Sequence, residues 1–275
     1  MFTIDALIAP FEAISLRKLE EVKLLNRTDT KFVFGAEKLP IVLAQLCSSH
    51  HILDVNGVRL QHYETLYFDT PDHQLYLQHH NRRLNRFKVR SRKYLDSGLC
   101  YFEIKFKNNK GRTVKQRINH PGPMEAIDGQ QEELLTSLTG LAPGMLLPSL
   151  RVYFSRITLA DHNLTERVTI DTGLIYRFGT AEKSYPGLVI AEVKQERSAS
   201  SAVAHILHKV HIPRTRISKY CLGIASLNCK IKQNNFKHKL YIINKLNHDI
   251  CEKPDDALLA DAPGHAGQGV FAAAN

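Results

Sequence analysis

One pattern limits the folds open to this chain: three successive segments place charge on one side of an extended strand and apolar groups on the other. The segments run from Arg86 to Tyr94, Tyr101 to Lys107 and Arg112 to Ile118, separated by LDSG and NNKG. Alternation with turn sequences between predicts an antiparallel meander. On the first strand the charged face holds four cations spaced roughly 7 Å apart; these are Arg86, Lys88, Arg90 and Arg92.

The same alternation extends over more of the chain. Further strands are predicted at residues 27–34, 58–69, 151–159, 166–176 and 188–194. The charged face gains Asp29, Lys31, Glu103, Lys105, Lys107, Lys115, Arg117, Arg156, Arg167, Asp171, Glu192 and Lys194. The charged face of any single strand could simply face water, as in an ordinary antiparallel sheet. Such a sheet explains poorly why the same charged face recurs on so many strands.

We therefore predict an α+β fold in which the strands close into a mainly antiparallel β-barrel with flanking helices. The apolar faces would pack outward against the helices, and the charged faces would line a lumen. Like charges that face each other repel unless an anion lies between them, so a polyanionic ligand is part of this prediction.

Apolar periodicity and capping residues predict the helices. They fall at residues 15–25 with Ser15 as N-cap, near 39–46, after Thr70-Pro71-Asp72, at 132–138 and at 198–210, which is the last one predicted. Residues 251–275 are rich in Gly and Ala and lack periodicity. We expect them to be a disordered tail or an artificial extension, which leaves residues 1–250 as one domain.

Composition limits the chemical class of the partner and the cellular compartment that we expect. The net charge of +10 predicts an anionic partner. Trp is absent and the aromatic residues do not interleave with basic ones, which argues against nucleic acid. Five scattered cysteines without a CxxC pair argue against a disulfide framework and a cysteine zinc site. No stretch of some twenty apolar residues occurs, and we expect a cytoplasmic protein without a transmembrane segment.

Some charged residues could hold a metal or a second partner. Asp29, Glu103 and Glu192 suit a hard ion such as Mg²⁺ or Mn²⁺. His205, His208 and His211 could form a metal-binding ridge, although a solvated helix flank is the preferred interpretation. His50-His51 and His79-His80 lie near predicted loops and receive no role. Lys230, Lys232, Lys237, Lys239 and Lys245 could meet polyphosphate or an acidic membrane, but a solvated face is preferred.

Six motifs occur in order between about Phe11 and Leu246. They are FEAISLRKLEEVKLLNRTDTKFVF, YFDTPDHQLY with NRFKVRSRKY, YFEIKFK, RVYFSRITL with ERVTIDTGLIY, LVIAEVKQE, and RISKYCLGI. Together they resemble the polyphosphate polymerase domains of the vacuolar transporter chaperone (VTC) type, within the CYTH-like superfamily of triphosphate tunnel metalloenzymes. The yeast members carry regulatory and membrane domains that we do not find here, so the chain is similar to the lone bacterial type. The resemblance leaves open whether the chain has a membrane-protein partner.

The resemblance implies roles for individual residues. Phosphates would be contacted by Lys31, Arg90, Arg92, Lys105, Arg156, Arg167, Arg216 and Lys219, and Glu192 would hold the metal. Of these, Arg90, Arg92, Lys105, Arg156, Arg167 and Lys219 are predicted to act in phosphoryl transfer. Additional lining would come from Lys88, Lys107, Lys115, Arg117 and Lys194, with Glu103 and Asp29 as further metal ligands. The implied reaction transfers the γ-phosphoryl group of ATP to a growing polyphosphate chain.

The first strand departs from the hydrolytic relatives, which carry Glu-x-Glu-x-Lys where this chain has Arg27-Thr28-Asp29-Thr30-Lys31. With one carboxylate fewer, a second metal and an activated water are harder to support, so transfer is favoured over hydrolysis. Polymerase-like relatives also have a non-acidic residue there. Two alternatives remain: a tunnel-type triphosphatase acting on inorganic or organic triphosphates, and a non-catalytic module that binds polyphosphate or nucleic acid.

Overall fold

The structure, a computed structural model, describes residues 3–20, 27–142, 144–196 and 201–251. Its strands are β1 (Ala13–Ser15), β2 (Arg27–Gly35), β3 (His50–Asp54), β4 (Gln61–Asp69), β5 (Arg86–Tyr94), β6 (Cys100–Lys107), β7 (Thr113–His120), β8 (Leu147–Asp161), β9 (Glu166–Phe178), β10 (Ala181–Tyr185) and β11 (Leu188–Glu196). Its helices are α1 (Ile4–Ile8), α2 (Leu16–Glu20), α3 (Leu39–Leu46), α4 (Gln74–His80), α5 (Gly129–Thr139), α6 (Ala202–Lys209), α7 (Lys219–Leu227) and α8 (Lys237–Cys251).

All eleven strands belong to one sheet. Its main path runs β2-β11-β9-β8-β4-β5-β6-β7, and every neighbouring pair on that path is antiparallel. β10 folds back on β9, while β1 pairs in parallel with β3, which pairs with β8. The predicted α+β class and the antiparallel meander are confirmed.

The predicted closure into a barrel is wrong. The sheet is curled but open, and within the described ranges no ladder joins its edge strands β2 and β7. The loop before α7 occupies the edge that closure would need, because Arg214 forms a bridge with Phe32 and the backbone N–H of Thr215 donates to the carbonyl of Lys31 at 2.7 Å.

Apolar side chains on the convex face pack against helices, as the alternation predicts. Phe32 and Ile170 are buried in a cluster with Leu207 of α6, and Phe102 is buried in another with Leu135 of α5. Burial of each such side chain contributes roughly 1.5–3 kcal/mol. These clusters turn the convex face away from water and leave the charged face on the inside of the curl.

One predicted helix, α4, begins later than expected. Ser15 caps α2 as expected, since its Oγ accepts from the backbone N–H of Lys18 at 3.3 Å; residues 21–25 of that predicted helix lie outside the described residues. α4 begins at Gln74 rather than near Thr70, because His73 adopts a left-handed conformation (φ 58°). Thr70 Oγ1 still accepts from the backbone N–H of Gln74, at 2.8 Å. Residues 198–200 of the predicted 198–210 helix also lie outside the described residues.

Two helices that the periodicity did not predict close one end of the curl. α7 follows Ser218, whose Oγ accepts from the backbone N–H of Cys221 at 3.3 Å, and it packs on β8 and β9 inside the concave face. A Cβ at Gly223 would stand 2.5 Å from side-chain atoms of Leu150 and Tyr176, so glycine permits this close approach. α8 extends the predicted domain to Cys251, and residues 252–275 of the predicted tail lie outside the described residues. No helix in the described ranges is long and apolar enough to cross a membrane.

Candidate functional site

The part of the concave face that α7 leaves uncovered carries lysine and arginine side chains from seven strands and from the start of α7. We call this surface the basic groove and define it by Lys31, Lys88, Arg90, Arg92, Lys105, Lys115, Arg156, Arg167, Lys194 and Lys219, with the carboxylates Asp29, Glu103, Asp171 and Glu192 among them. Lys105 on β6 is near enough to Asp29 on β2 and Lys194 on β11 for both charges to act on its pKa. The two halves of the sheet therefore face each other across the groove.

The strand register sets the cations in rows. Arg90, Glu103 and Arg117 lie opposite one another on β5, β6 and β7. The next row is Lys88, Lys105 and Lys115. Neighbouring strands lie about 4.8 Å apart and same-face residues about 7 Å apart, so the rows form a lattice of positive charge.

Arg90 and Lys115 are held by one buried carboxylate, that of Glu103. Arg90 Nη2 lies 2.6 Å from Glu103 Oε2, and Lys115 Nζ contacts Oε1. Arg90 also donates to the hydroxyl of Tyr67 at 3.3 Å. Burial would raise the pKa of Glu103, but the nearby cations Arg90, Arg92 and Lys115 hold it well below its usual range. Glu103 therefore stays ionised and fixes two of the cations in place.

Asp171, 2% exposed, does the same for Arg156 and Lys219. Arg156 donates through Nε to Oδ1 at 2.5 Å and through Nη2 to Oδ2 at 2.9 Å, and Lys219 Nζ contacts Oδ2. Burial opposes ionisation, yet Arg156 and Lys219 keep the pKa of Asp171 well below its usual value. The sequence placed Asp171 on the charged face but assigned it no role, although its shared parity with Arg167 was a usable signal.

Arg92 is buried against aromatic rings rather than against a carboxylate. Its guanidinium lies 5.5 Å from the ring centre of Tyr63 and 5.7 Å from that of Phe154. Its Nε donates to Thr65 Oγ1 at 3.2 Å, the one hydrogen bond it makes within the described residues. Arg156 lies 5.2 Å from the same two rings. The sequence analysis did not identify this aromatic wall, which stiffens two guanidinium groups without neutralising them.

Lysines in the groove have depressed pKa values. Burial, followed by the nearby Arg156, lowers the pKa of Lys194 to about 7. Burial, followed by the nearby Arg90 and Lys88, lowers the pKa of Lys105 to about 8. Burial and the neighbouring lysines lower the pKa of Lys31 to about 6, against the opposing effect of Asp171. A bound anion would relieve this repulsion.

Glu192 is more accessible to a metal than Glu103. The oxygens of both carboxylates face cations, which are Lys31 and Lys194 in the case of Glu192, but the Glu192 side chain is 19% exposed and that of Glu103 is 1% exposed. Within the described ranges the three predicted ligands Asp29, Glu103 and Glu192 do not converge on one point. Mg²⁺ is commonly bound through one or two carboxylates together with substrate phosphates, so the residues present fit a metal that is shared with a phosphate chain.

The remaining predicted residues lie at the margins. Lys107 ends β6 opposite Arg86, whose Nη1 donates to the carbonyl of Arg83 at 2.5 Å. Arg117 is exposed on the edge strand, 4.7 Å from the ring centre of Tyr101. Arg216 is exposed beside α8.

The structure also places the remaining predicted arginine, lysine and histidines. The guanidinium of Arg167 donates through Nη2 to the carbonyl of Leu19. Lys88, on β5, donates to Ser218 Oγ at 2.8 Å and so ties the groove to the start of α7. His205, His208 and His211 are exposed, which agrees with a solvated flank.

Fold and site together define a curled antiparallel sheet whose inner face is lined with lysine and arginine side chains. Residues 26–228 match the VTC domain, and the chain belongs to the VTC domain family. No curated protein sequence matches it significantly. The family resemblance of the sequence motifs is thereby confirmed.

Several solved structures are similar to this chain at low sequence identity. A candidate adenylyl cyclase from Hippeastrum, described as having a dominant triphosphatase activity, has 14% identity and a TM-score of 0.48 over 74% of this chain and 99% of that chain. Candidate adenylate cyclases from Bacillus halodurans (15% identity, TM-score 0.42, 70% and 94% covered) and Vibrio parahaemolyticus (12%, 0.40, 70% and 95%) are also similar.

Proposed function

We propose that this protein is a polyphosphate polymerase that transfers the γ-phosphoryl group of ATP to a growing polyphosphate chain in the basic groove, with Mn²⁺ or Mg²⁺. One observation carries the proposal: the defined groove holds ten cations and four carboxylates, spaced in rows along and across the strands. Such an excess of enclosed charge is stabilised by a ligand that is itself a linear array of negative charge.

Phosphoryl transfer requires positioning and charge neutralisation more than proton transfer. A terminal phosphate oxygen of the growing chain attacks the γ-phosphorus, a new P–O bond forms, and the bond from that phosphorus to the β,γ-bridging oxygen breaks. ADP leaves with that oxygen. Arg90 and Arg156, oriented by Glu103 and Asp171, supply fixed positive charge. When bound, a divalent metal held by Glu192 would neutralise further phosphate charge.

Because the buried carboxylates of the groove stay ionised, they are poor general bases, and this favours transfer over hydrolysis. A general base is most effective with a pKa near the working pH. Glu103 and Asp171 each contact two cations, and their pKa values lie well below the usual range. Neither would take a proton from water at neutral pH, whereas an attacking phosphate is already ionised.

A tunnel-type triphosphatase is the second candidate, and one observation favours it. α7 fills one end of the concave face, so a short triphosphate fits the remaining space while a growing chain needs an exit. The two activities separate in a single assay with ATP and Mn²⁺. Long polyphosphate on a gel supports the polymerase, and free phosphate without chains supports the triphosphatase. Retained binding with no turnover under any metal would support a non-catalytic polyphosphate-binding module.

Arg92→Ala should weaken tripolyphosphate binding roughly 10- to 150-fold, because it removes a charge-assisted contact worth about 1.5–3 kcal/mol. Arg92 is a cleaner probe than Arg90, whose loss would leave Glu103 buried with one partner fewer. Isothermal titration calorimetry measures the change, with exposed Arg177→Ala as the control. Equal affinities in all three proteins would place the ligand elsewhere.

ATP binding without metal should take up at least about one proton at pH 8. Lys31, Lys194 and Lys105, with pKa values of about 6, about 7 and about 8, are wholly or partly neutral in the free protein at that pH, and a nearby anion raises all three values. The γ-phosphate is already ionised at that pH. Because protons are taken up, affinity should fall as pH rises from 7 to 9. Calorimetry in buffers of different ionisation enthalpy tests this; net proton release would contradict it.

A further inference from the structure

Outside the groove, three side chains from distant parts of the sequence meet on the sheet margin formed by β1 and β3. They are Glu12, just before β1, His51 on β3, and His162 in the turn between β8 and β9. One potential ligand atom from each lies within 4.8 Å of the other two, and it is the only such three-residue group in the described ranges. The imidazole rings of His51 and His162 are 4.4 Å apart.

Backbone hydrogen bonds hold the three positions in register. The N–H of Ile52 donates to the carbonyl of Glu12 at 2.8 Å, and the N–H of His162 donates to the carbonyl of Ser49 at 3.1 Å. β3 itself pairs with the end of β8, where His51 lies opposite Ala160. The arrangement therefore depends on the sheet and not on a single mobile loop.

The side-chain chemistry of this cluster is incomplete without a ligand. Nδ1 of His51 is buried and has no hydrogen-bond partner within the described residues; the nearest carboxylate oxygen, from Glu12, is 3.5 Å away. Lys18 is the nearby cation, and His50 is turned toward Ser49 and Glu166.

We propose that Glu12, His51 and His162 form a binding site for a divalent transition metal of the zinc type. Two imidazoles and one carboxylate are a donor set that Zn²⁺ and Co²⁺ accept, with water in the open position, whereas Mg²⁺ and Ca²⁺ prefer oxygen ligands alone. The metal of this site therefore differs from the one proposed for the groove.

The site would fasten the N-terminal segment to the sheet. Glu12 precedes β1 and α2, and the carbonyl of Leu19 at the end of α2 accepts from Arg167 of the basic groove. Leu19 packs with Leu53 of β3 and Ala160 of β8. A metal that links Glu12 to β3 and the β8–β9 turn would thus stabilise the segment that positions Arg167.

Titration of the metal-free full chain with Zn²⁺ tests the proposal. We expect one ion per chain and a higher thermal midpoint with Zn²⁺; His162→Gln and Glu12→Gln should each weaken binding at least tenfold and abolish the midpoint shift. Glu12 is 78% exposed, so its replacement leaves the fold intact. With Co²⁺, absorption bands typical of mixed nitrogen and oxygen ligation should appear in the wild type and be lost in both variants.

Two control variants locate the ion. Exposed His205→Gln and groove Glu192→Gln should both bind Zn²⁺ like the wild type. If the wild type binds no Zn²⁺, if His162→Gln binds it equally well, or if Glu192→Gln loses it, the site is refuted. Because the readouts are affinity and absorption, they are independent of any polymerase assay.

Discussion

Glu192→Gln should lower metal-dependent turnover of ATP at least about 100-fold, equivalent to about 2.7 kcal/mol in the barrier. The substitution keeps size and shape but removes the charge that would hold Mn²⁺ or Mg²⁺ against the phosphates. Binding of tripolyphosphate should persist or tighten, because Lys31 and Lys194 lose their shared carboxylate while the rest of the groove is unchanged. Binding and chemistry should therefore separate in this variant.

The measurement pairs Mn²⁺-dependent phosphate and polyphosphate formation with calorimetric tripolyphosphate affinity. Glu196→Gln, at the exposed end of the same strand, is the matched control and should behave as the wild type. The competing explanation is that Glu192 only bridges lysines, in which case turnover falls mildly and its Mn²⁺ dependence is unchanged. That outcome would move the proposed metal to other carboxylates of the groove.

Asp171→Asn should cost about 3–5 kcal/mol of unfolding free energy, because it leaves Arg156 and Lys219 buried without their shared counter-charge. The pKa of Asp171 is depressed in the folded protein, so its stabilising contribution is present at neutral pH and is lost as pH falls into the acid range. The difference between wild type and variant should shrink accordingly. Urea unfolding at pH 7 and at pH values below the ordinary aspartate pKa of about 3.9 measures both effects.

A ligand test separates this mechanism from general damage to the core. Tripolyphosphate should raise the urea midpoint of Asp171→Asn more than that of the wild type, since the anion substitutes for the missing carboxylate. Glu182→Gln breaks an exposed pair with Arg177 and should leave the midpoint unchanged. Equal stabilisation of Asp171→Asn and the wild type by tripolyphosphate would indicate that Arg156 and Lys219 do not contact the ligand.

Much of the groove could be predicted because side-chain direction in a strand is local. Period-two alternation placed Arg90, Arg92 and Lys105 on one face, and the structure keeps them there. What alternation could not supply was the pairing across the fold: Lys219 meets Asp171, 48 residues earlier in the chain. The roles given to these residues in catalysis remain predictions.

α7 shows where local patterns were insufficient. Its central residues are buried on nearly every side, so its sequence has no amphipathic pattern that predicts a helix. Ser218 is an ordinary N-cap signal. The same helix fills the concave face where the sequence predicted open lumen. Burial on all sides is a property of the packed molecule, and a one-dimensional pattern does not contain it.

The sequence by itself determined the charge of the inner face, the antiparallel meander and the family, because each depends on residue order along single strands. Only the tertiary structure decided that the sheet stays open. Closure depends on which segment hydrogen-bonds to the free edge of β2, and in this fold the distant loop at Thr215 does so. Tertiary structure also brought His51 beside His162. Contacts between residues far apart in sequence arise only after the chain has folded and its strands have paired.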